Sequence, residues 1–253
     1  MQSLPIHRSI LAVDIEKSTG PLRTNPVKEE LRRQVYRLLE TAMASAGIER
    51  RHLDPFEDRG DGVLALIHPV DEIPKTLLLN PFVPELTRLL LDYNADLPPG
   101  EAARLGLRLR VVVHAGEVHY DGRGHFGEEL DVACRLLDAP RVKKSLRETT
   151  APLVLVVSED IYWAIVRHDY DGIRGETFLP LVRLQVSGRR RLGYVQTPHV
   201  APHEAPYELV PEVPYELPRQ PPYELAREVP RIAAIGTPAP AFARRLGTGP
   251  SAA

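Results

Sequence analysis

The segment RSILAVDIEKSTG, residues 8–20, decides the fold of this chain. Its first half, Arg8–Asp14, is a short apolar run that ends in an acid, which predicts a buried strand. Its second half, residues 15–20, is polar and predicts a loop. The next segment, Pro26–Ala46, has apolar residues at helical spacing and is followed by Gly47, so it predicts a helix with a defined end.

The segments that follow predict a hairpin and then a second helix and strand. Arg50–Phe56 and Gly62–His68 are predicted strands joined by an Asp-Gly turn, Pro74–Tyr93 is a predicted helix, and Leu105–Ala115 is a predicted strand. The order β-α-β-β-α-β predicts a ferredoxin-like α+β sandwich, with helices on one face of a mainly antiparallel sheet. Further predicted helices and strands are Glu117–Tyr120, Leu130–Leu137, Leu153–Val157, Glu159–Arg167, Phe178–Val186 and Leu192–Val195.

The bulk composition excludes several classes of protein. Of 253 residues, 43% are hydrophobic and 26% charged, and the net charge of −2 gives no basic field for nucleic acid or membrane. Cys134 is the only cysteine, so no intrachain disulfide can form, which fits a reducing compartment. No stretch approaches the roughly 20 apolar residues of a membrane span. We expect a soluble cytoplasmic protein with no nucleic-acid partner and no membrane contact.

The composition changes sharply near Pro198, where proline, alanine, glutamate and arginine begin to dominate. The sequence Pro-Tyr-Glu-Leu occurs three times, starting at Pro206, Pro214 and Pro222. Proline at this density is incompatible with regular helices and central strands. We therefore predict a globular domain over residues 1–196 and a disordered Pro-rich tail over residues 197–253. Two roles stay open for the tail: a spacer, or a multivalent docking repeat for a protein partner.

Two acids stand at turns that the predicted sheet brings together. Asp14 ends the first strand, and Asp61 lies between two glycines at the tip of the hairpin. Neighbouring carboxylates are typical ligands of Mg²⁺, which phosphate oxygens then help to coordinate. Turn chemistry alone also explains each acid, because Asp-Gly is a common hairpin turn and Asp often ends a strand.

Four segments, taken together, favour the metal-binding interpretation. They are Leu11–Thr19 (LAVDIEKST), Gly60–Gly62 (GDG), Arg110–Val118 (RVVVHAGEV) and Gly127–Leu136 (GEELDVACRL). In this order and spacing they resemble the conserved motifs of class III adenylate and guanylate cyclase domains of the bacterial type, over residues 8–196. The resemblance implies a nucleoside triphosphate as substrate and an antiparallel homodimer with its active sites at the interface.

The same resemblance assigns the metal ligands and the phosphate contacts. Asp14, Asp61 and the carbonyl of Ile15 would hold two Mg²⁺ or Mn²⁺ ions, and Thr19 would contact the phosphates. Arg189 or Arg190, in the run Arg189–Arg191, falls near the position of a late phosphate-binding lysine of the family. The competing interpretation of that run is a solvated basic turn.

The resemblance also assigns the catalytic and base-reading positions. Arg135 would stabilise charge on the α-phosphate during attack by the ribose 3′-hydroxyl. Glu57 takes the base-reading position, where a carboxylate can accept hydrogen bonds from guanine, so GTP is slightly favoured over ATP. An ordinary solvated glutamate at the end of a strand explains Glu57 equally well.

Two positions depart from the family pattern. Asp131 replaces the asparagine that orients the ribose, which adds negative charge beside a triphosphate, and Gly124 leaves the second base-contact position without a side chain. These departures keep a second function open: a catalytically impaired, nucleotide-binding module that regulates or scaffolds through its tail. A polymerase-like or diguanylate-type relative also has paired acids, but its Gly-Gly-Asp/Glu-Glu-Phe signature is missing from the sequence. We expect His114, on an apolar strand, to be a hydrogen-bonded core histidine.

Overall fold

A computed structural model describes residues 4–196, which form an eight-stranded sheet with six α-helices. The strands are β1 (Ile6–Ile15), β2 (Glu57–Asp58), β3 (Gly62–Ile67), β4 (Leu109–Tyr120), β5 (His125–Phe126), β6 (Leu153–Ser158), β7 (Phe178–Val186) and β8 (Arg189–Gln196). The helices are α1 (Asn25–Ser45), α2 (Phe82–Ala95), α3 (Ala102–Leu105), α4 (Glu128–Asp138), α5 (Pro140–Glu148) and α6 (Glu159–Ala164).

The strand order confirms the predicted ferredoxin-like core. It runs β2-β3-β1-β4-β6-β8-β7, and the short β5 pairs with β4 beside this path. β1 is antiparallel to both β3 and β4, and Asp14 lies opposite Gly62 on one side and Arg110 on the other. β6 then pairs with β4 in parallel and extends the sheet beyond the core. The first strand is therefore central, and its polar end lies between two partner strands.

The helices cover both faces of the sheet, which corrects the expectation of one covered face. α1 and α2 pack with Leu11 and Val13 on the first face, as the ferredoxin-like pattern predicts. On the second face, α4 and α5 pack with Ile10 and Ala12. Successive side chains of a strand point to opposite faces, and β1 is apolar at successive positions. Both of its faces therefore need a cover.

Two predicted elements differ from those observed, and one observed helix was not predicted. Residues 50–56 form a short 3-10 turn at Arg50–His52 and one isolated bridge at Leu53, and the strand β2 begins only at Glu57, after Pro55, which has no N–H to donate. The predicted helix Pro74–Tyr93 is interrupted before Pro81, since the residue before a proline disfavours the helical region. The helix α5 was not predicted: Pro140 was interpreted as a stop, whereas proline suits the first position of a helix.

Within residues 4–196, no helix is both long and apolar enough to cross a membrane. The predicted tail, residues 197–253, lies outside the described residues, and so do its three repeats. Its proposed roles as spacer or docking segment therefore stay predictions.

The second covered face leads to a stability prediction. Leu136 of α4 is 0% exposed and packs in the cluster beneath α4 and α5, whereas Leu91 of α2 is 52% exposed. Leu136→Ala should lower the free energy of unfolding by about 2–5 kcal/mol, because it leaves a cavity. Leu91→Ala, the same chemical change on an exposed helix surface, should alter it by about 0.5 kcal/mol or less. Urea unfolding followed by circular dichroism measures both, and equal losses would contradict the packing of α4 on the sheet.

Candidate functional site

The backbone holds the two predicted metal ligands beside each other. Asp14 lies near the end of β1 directly opposite Gly62, the first residue of β3. The N–H of Ile15 donates to the carbonyl oxygen of Asp61 at 3.1 Å. The loop that carries Asp61 is therefore fixed to the end of β1, where the predicted carbonyl ligand Ile15 also lies.

Gly62 makes this close approach of the strands possible. A Cβ atom at this position would lie 2.5 Å from the carbonyl oxygen of Val13, which is part of the backbone and cannot turn away. A side chain here would force β1 and β3 apart. The packing of β1 against β3 therefore requires glycine at position 62, in addition to the preference of the turn for an Asp-Gly pair.

Asp14 lies in an environment that suits a cation. Burial raises the pKa of its carboxyl above the ordinary value, the ion pair with Arg110 opposes this shift, and the charge of Asp61 adds to it. The guanidinium of Arg110 binds Oδ2 of Asp14, while Oδ1 is buried without a hydrogen-bond partner. A buried, unpartnered carboxylate oxygen beside a second acid fits a hard divalent ion.

A pocket of about 390 Å³ opens beside Asp61. The hydroxyl of Ser18 donates to Oδ2 of Asp61, and the exposed Thr19 lies on the same pocket. Lys28 and Arg32 of α1 also line this pocket. The guanidinium of Arg32 donates hydrogen bonds to the Asp58 carboxylate and to the carbonyl oxygen of Gly60. The lining side chains that matter for a phosphate ligand are those of Ser18, Thr19, Lys28, Arg32 and Asp61.

The protein alone supplies few metal ligands. Across residues 4–196, no three His, Cys, Asp or Glu side chains cluster in a way that could hold a metal ion. Two carboxylates and one carbonyl do not fill the coordination of an octahedral ion, so other oxygens must complete it. This donor set suits Mg²⁺ or Mn²⁺ bound together with phosphate and water.

Glu57 lies in a different pocket, which measures about 720 Å³ and is separate from the one beside Asp61. Its Oε1 accepts from the backbone N–H of His125 at 3.0 Å and from the ring Nδ1 at 2.7 Å. Its Oε2 accepts from Arg59 at 2.8 Å. Gly124 lines the same pocket with open space around it, so this pocket contains both of the predicted base-contact positions.

The remaining predicted residues lie elsewhere on the chain. Asp131 and Arg135 are exposed and one turn apart on α4, so they share a face of that helix. Arg135 donates to the carbonyl of Gln185 at 3.2 Å, in the β7–β8 hairpin. Arg189 begins β8 in the same hairpin and is exposed. Neither Asp131, Arg135 nor Arg189 lines the pocket beside Asp61.

Some important contacts were not predicted from the sequence. Arg110 was quoted within a motif without a role, yet it is the counter-ion of Asp14. Ser18 lies in the motif Leu11–Thr19 without an assigned role, yet its hydroxyl donates to Asp61. The expectation for His114 is confirmed: it is fully buried and bonds Glu129 at 2.7 Å, which also pairs with Arg191.

The sequence matches no protein-family model and no curated protein sequence. Solved structures do match the fold. An adenylate/guanylate cyclase/hydrolase from Silicibacter pomeroyi superposes with a TM-score of 0.54 and 20% identity, covering 78% of this chain and 100% of that one. The guanylyl cyclase Cya2 superposes with a TM-score of 0.53 and 15% identity, covering 78% of this chain and 94% of that one. The adenylyl cyclase CyaB from P. aeruginosa superposes with a TM-score of 0.50 and 13% identity, covering 79% of this chain and 98% of that one.

This chain has the class III nucleotide cyclase fold. The cyclase fold agrees with the resemblance found in the four sequence motifs. Its solved examples include both guanylyl and adenylyl cyclases, so the fold does not select a base.

The close approach of β1 and β3 at Gly62 leads to a prediction about the stability of the protein. Gly62→Ala should lower the free energy of unfolding by about 1–3 kcal/mol, because the new methyl group collides with backbone. Gly124→Ala, the matched control, has no neighbouring atom within 4 Å of its new Cβ and should be neutral or slightly stabilising. Chemical unfolding of both variants measures the difference. Equal stability of the two variants would show that β1 and β3 do not meet as described.

Proposed function

We propose that this protein is a metal-dependent nucleotide cyclase, which converts a nucleoside triphosphate into a 3′,5′-cyclic nucleotide and pyrophosphate. The placement of Asp14 and Asp61 carries the proposal. Asp14 lies opposite Gly62, the residue after Asp61, and the backbone N–H of Ile15 donates to the carbonyl of Asp61. Oδ1 of Asp14 is buried without a hydrogen-bond partner. The cyclase fold supports the same conclusion.

Asp14, Asp61 and the carbonyl of Ile15 would hold two Mg²⁺ or Mn²⁺ ions, which neutralise charge on the phosphates when bound. The chain's own side chains would do the rest of the phosphate binding. Lys28 and Arg32 bring positive charge to the pocket beside Asp61. The Thr19 hydroxyl lies at the same pocket and would donate a hydrogen bond to a phosphate oxygen.

The reaction needs groups that one copy of the chain keeps apart. Arg135 would stabilise the charge that builds on the α-phosphate, Asp131 would accept a hydrogen bond from the ribose, and Arg189 would bind phosphate. All three are exposed and do not line the pocket beside Asp61. A homodimer would unite them, because α4 of a second copy can face the acid pair of the first. We therefore propose a cytoplasmic homodimer with its sites at the interface.

The test is a direct assay of the full-length chain. Each of the four ribonucleoside triphosphates is incubated with Mn²⁺ and separately with Mg²⁺, and cyclic products are measured by mass spectrometry. We expect a cyclic product, with GTP slightly preferred through Glu57. Asp61→Asn and Arg135→Ala should each lower kcat/KM at least roughly 100-fold, since each removes a charge that acts in the transition state.

Matched controls are present on the same chain. Asp71→Asn changes an exposed acid in the loop after β3, and Arg141→Ala changes an exposed arginine on α5. Both should keep activity within about twofold, as expected of surface substitutions. A dimeric, folded wild-type protein that forms no cyclic product from any triphosphate would contradict the proposal.

The base-contact residues also support a second candidate function, a module that binds a nucleotide without converting it. Both oxygens of Glu57 are engaged within the chain, Gly124 supplies no side chain, and Asp131 adds a negative charge. These features suit a module that binds a nucleotide without converting it and signals through a partner of the tail. Nucleotide binding without a cyclic product, in the assay above, is the result that selects this function.

A further inference from the structure

The pocket that holds Glu57 also contains hydrogen bonds from His125, a residue to which the cyclase motifs assign no role. This pocket lies between β2 and β5, measures about 720 Å³, and is called here the β2–β5 pocket. Its lining includes Ile6, Phe56, Glu57, Tyr120, Arg123 and His125. Gly124 contributes no side chain, and the next residue, His125, points its ring at Glu57 instead.

His125 holds one oxygen of Glu57 by two hydrogen bonds. Its backbone N–H and its ring Nδ1 both lie within 3.0 Å of Oε1. A carboxylate oxygen can only accept, so Nδ1 must carry the proton of this bond. The His125 side chain is 8% exposed. Two donors from one buried residue fix both the position and the rotation of the carboxylate.

Asp54 lies on the other side of the His125 ring. Nε2 lies 3.7 Å from Oδ2 of Asp54. Asp54 in turn binds Arg8 at 2.7 Å and His68 at 3.1 Å. The ring of Tyr120 lies 4.8 Å from the His125 ring, centroid to centroid. The hydrogen bond to Glu57 and the packing of the Tyr120 ring thus orient the imidazole with Nδ1 directed at Glu57, and Asp54 lies beyond hydrogen-bond distance of Nε2.

The second oxygen of Glu57 faces the open side. Oε2 is bound by Arg59, whose side chain is 43% exposed and can move into solvent. Partial burial alone would raise the pKa of Glu57, but the hydrogen bonds from His125 and the charge of Arg59 outweigh it, so the pKa lies below its ordinary value. Glu57 is thus an ionised acceptor, with one oxygen anchored and the other turned outward.

We propose that His125 is the positioning residue that gives this site its preference for a guanine base. It anchors Glu57 so that Oε2 accepts hydrogen bonds from the N1–H and 2-amino group of guanine, which replace Arg59. Adenine presents an unprotonated N1 at the corresponding edge, and this acceptor would face a carboxylate that cannot donate. Base selection would then come from Glu57 and His125 together, without any side chain at position 124. The inference rests on the proposed function, because it assumes that a nucleotide occupies this site.

A purely structural role is the alternative, since the same bonds link β2 to β5. Such a role would affect both purine nucleotides equally. The measurement that separates the two is the ratio of dissociation constants for non-cyclisable α,β-methylene analogues of GTP and ATP. Isothermal titration calorimetry with Mn²⁺ measures both on the full-length protein, and binding is read independently of turnover.

The variants are chosen around one hydrogen bond. His125→Leu removes the ring donor, and His125→Asn keeps an amide N–H close to the position of Nδ1. His168→Leu is the matched control, because His168 is an exposed histidine in the turn after α6. We expect His125→Leu to raise the dissociation constant of the GTP analogue roughly tenfold or more, as for a lost hydrogen bond to a charged group. The dissociation constant of the ATP analogue should change by no more than about twofold. His125→Asn should restore most of the preference, and His168→Leu should keep it.

Equal weakening of both analogues by His125→Leu, or no weakening, overturns the inference. If His125→Leu does not fold by circular dichroism, Glu57→Gln decides instead: its amide can donate to adenine N1, so the preference for the GTP analogue should fall or reverse. An unchanged ratio in that variant also overturns it. A wild-type protein that binds neither analogue overturns both this inference and the proposed function. A His125-dependent preference without cyclic product overturns only the cyclase reaction and leaves base selection standing.

Discussion

The pairing of β1 with β3 on one side and β4 on the other is the constraint on which the rest of the structure depends. It places the end of β1 between Gly62 and Arg110, so Asp14 receives an acid from one neighbour and a guanidinium from the other. It also makes β1 a central strand, and the apolar side chains on its two faces are covered by helices above and below the sheet. The candidate metal site is therefore a consequence of strand order more than of any single loop.

Much of the core could be predicted from local patterns. The apolar run into Asp14, the Asp-Gly turn at Asp61 and the helical spacing of α1 are each readable over fewer than two dozen residues, and the structure agrees with them. The second helical layer was missed because proline at 140 is compatible with both a stop and a start. Position in a motif could not reveal that Arg110 neutralises Asp14, since that pair joins residues 96 positions apart.

The candidate site is divided over the surface of one copy. The acid pair has its own pocket, Glu57 lies in the β2–β5 pocket, and Asp131 and Arg135 project from α4. Sequence motifs predicted the residue types at these places but could not show that Glu57 is already bound by His125 and Arg59. Hydrogen bonds between side chains on separate strands depend on register and rotamer, which no short motif specifies. Glu57 is therefore a hydrogen-bonded carboxylate and differs from the solvated strand-end glutamate that the sequence also allowed.

The central position of β1 also has a consequence for how the chain folds. β1 is made before its two pairing partners, which begin at Gly62 and at Leu109. Until β4 has been synthesised, β1 lacks one of the two strands with which its backbone forms hydrogen bonds. Contacts of such long sequence separation slow folding, because loop closure must come before the contacts that stabilise it. During translation, β1 is therefore open to mispairing or chaperone capture until β4 is made, although in the folded protein it is among the most deeply buried segments described.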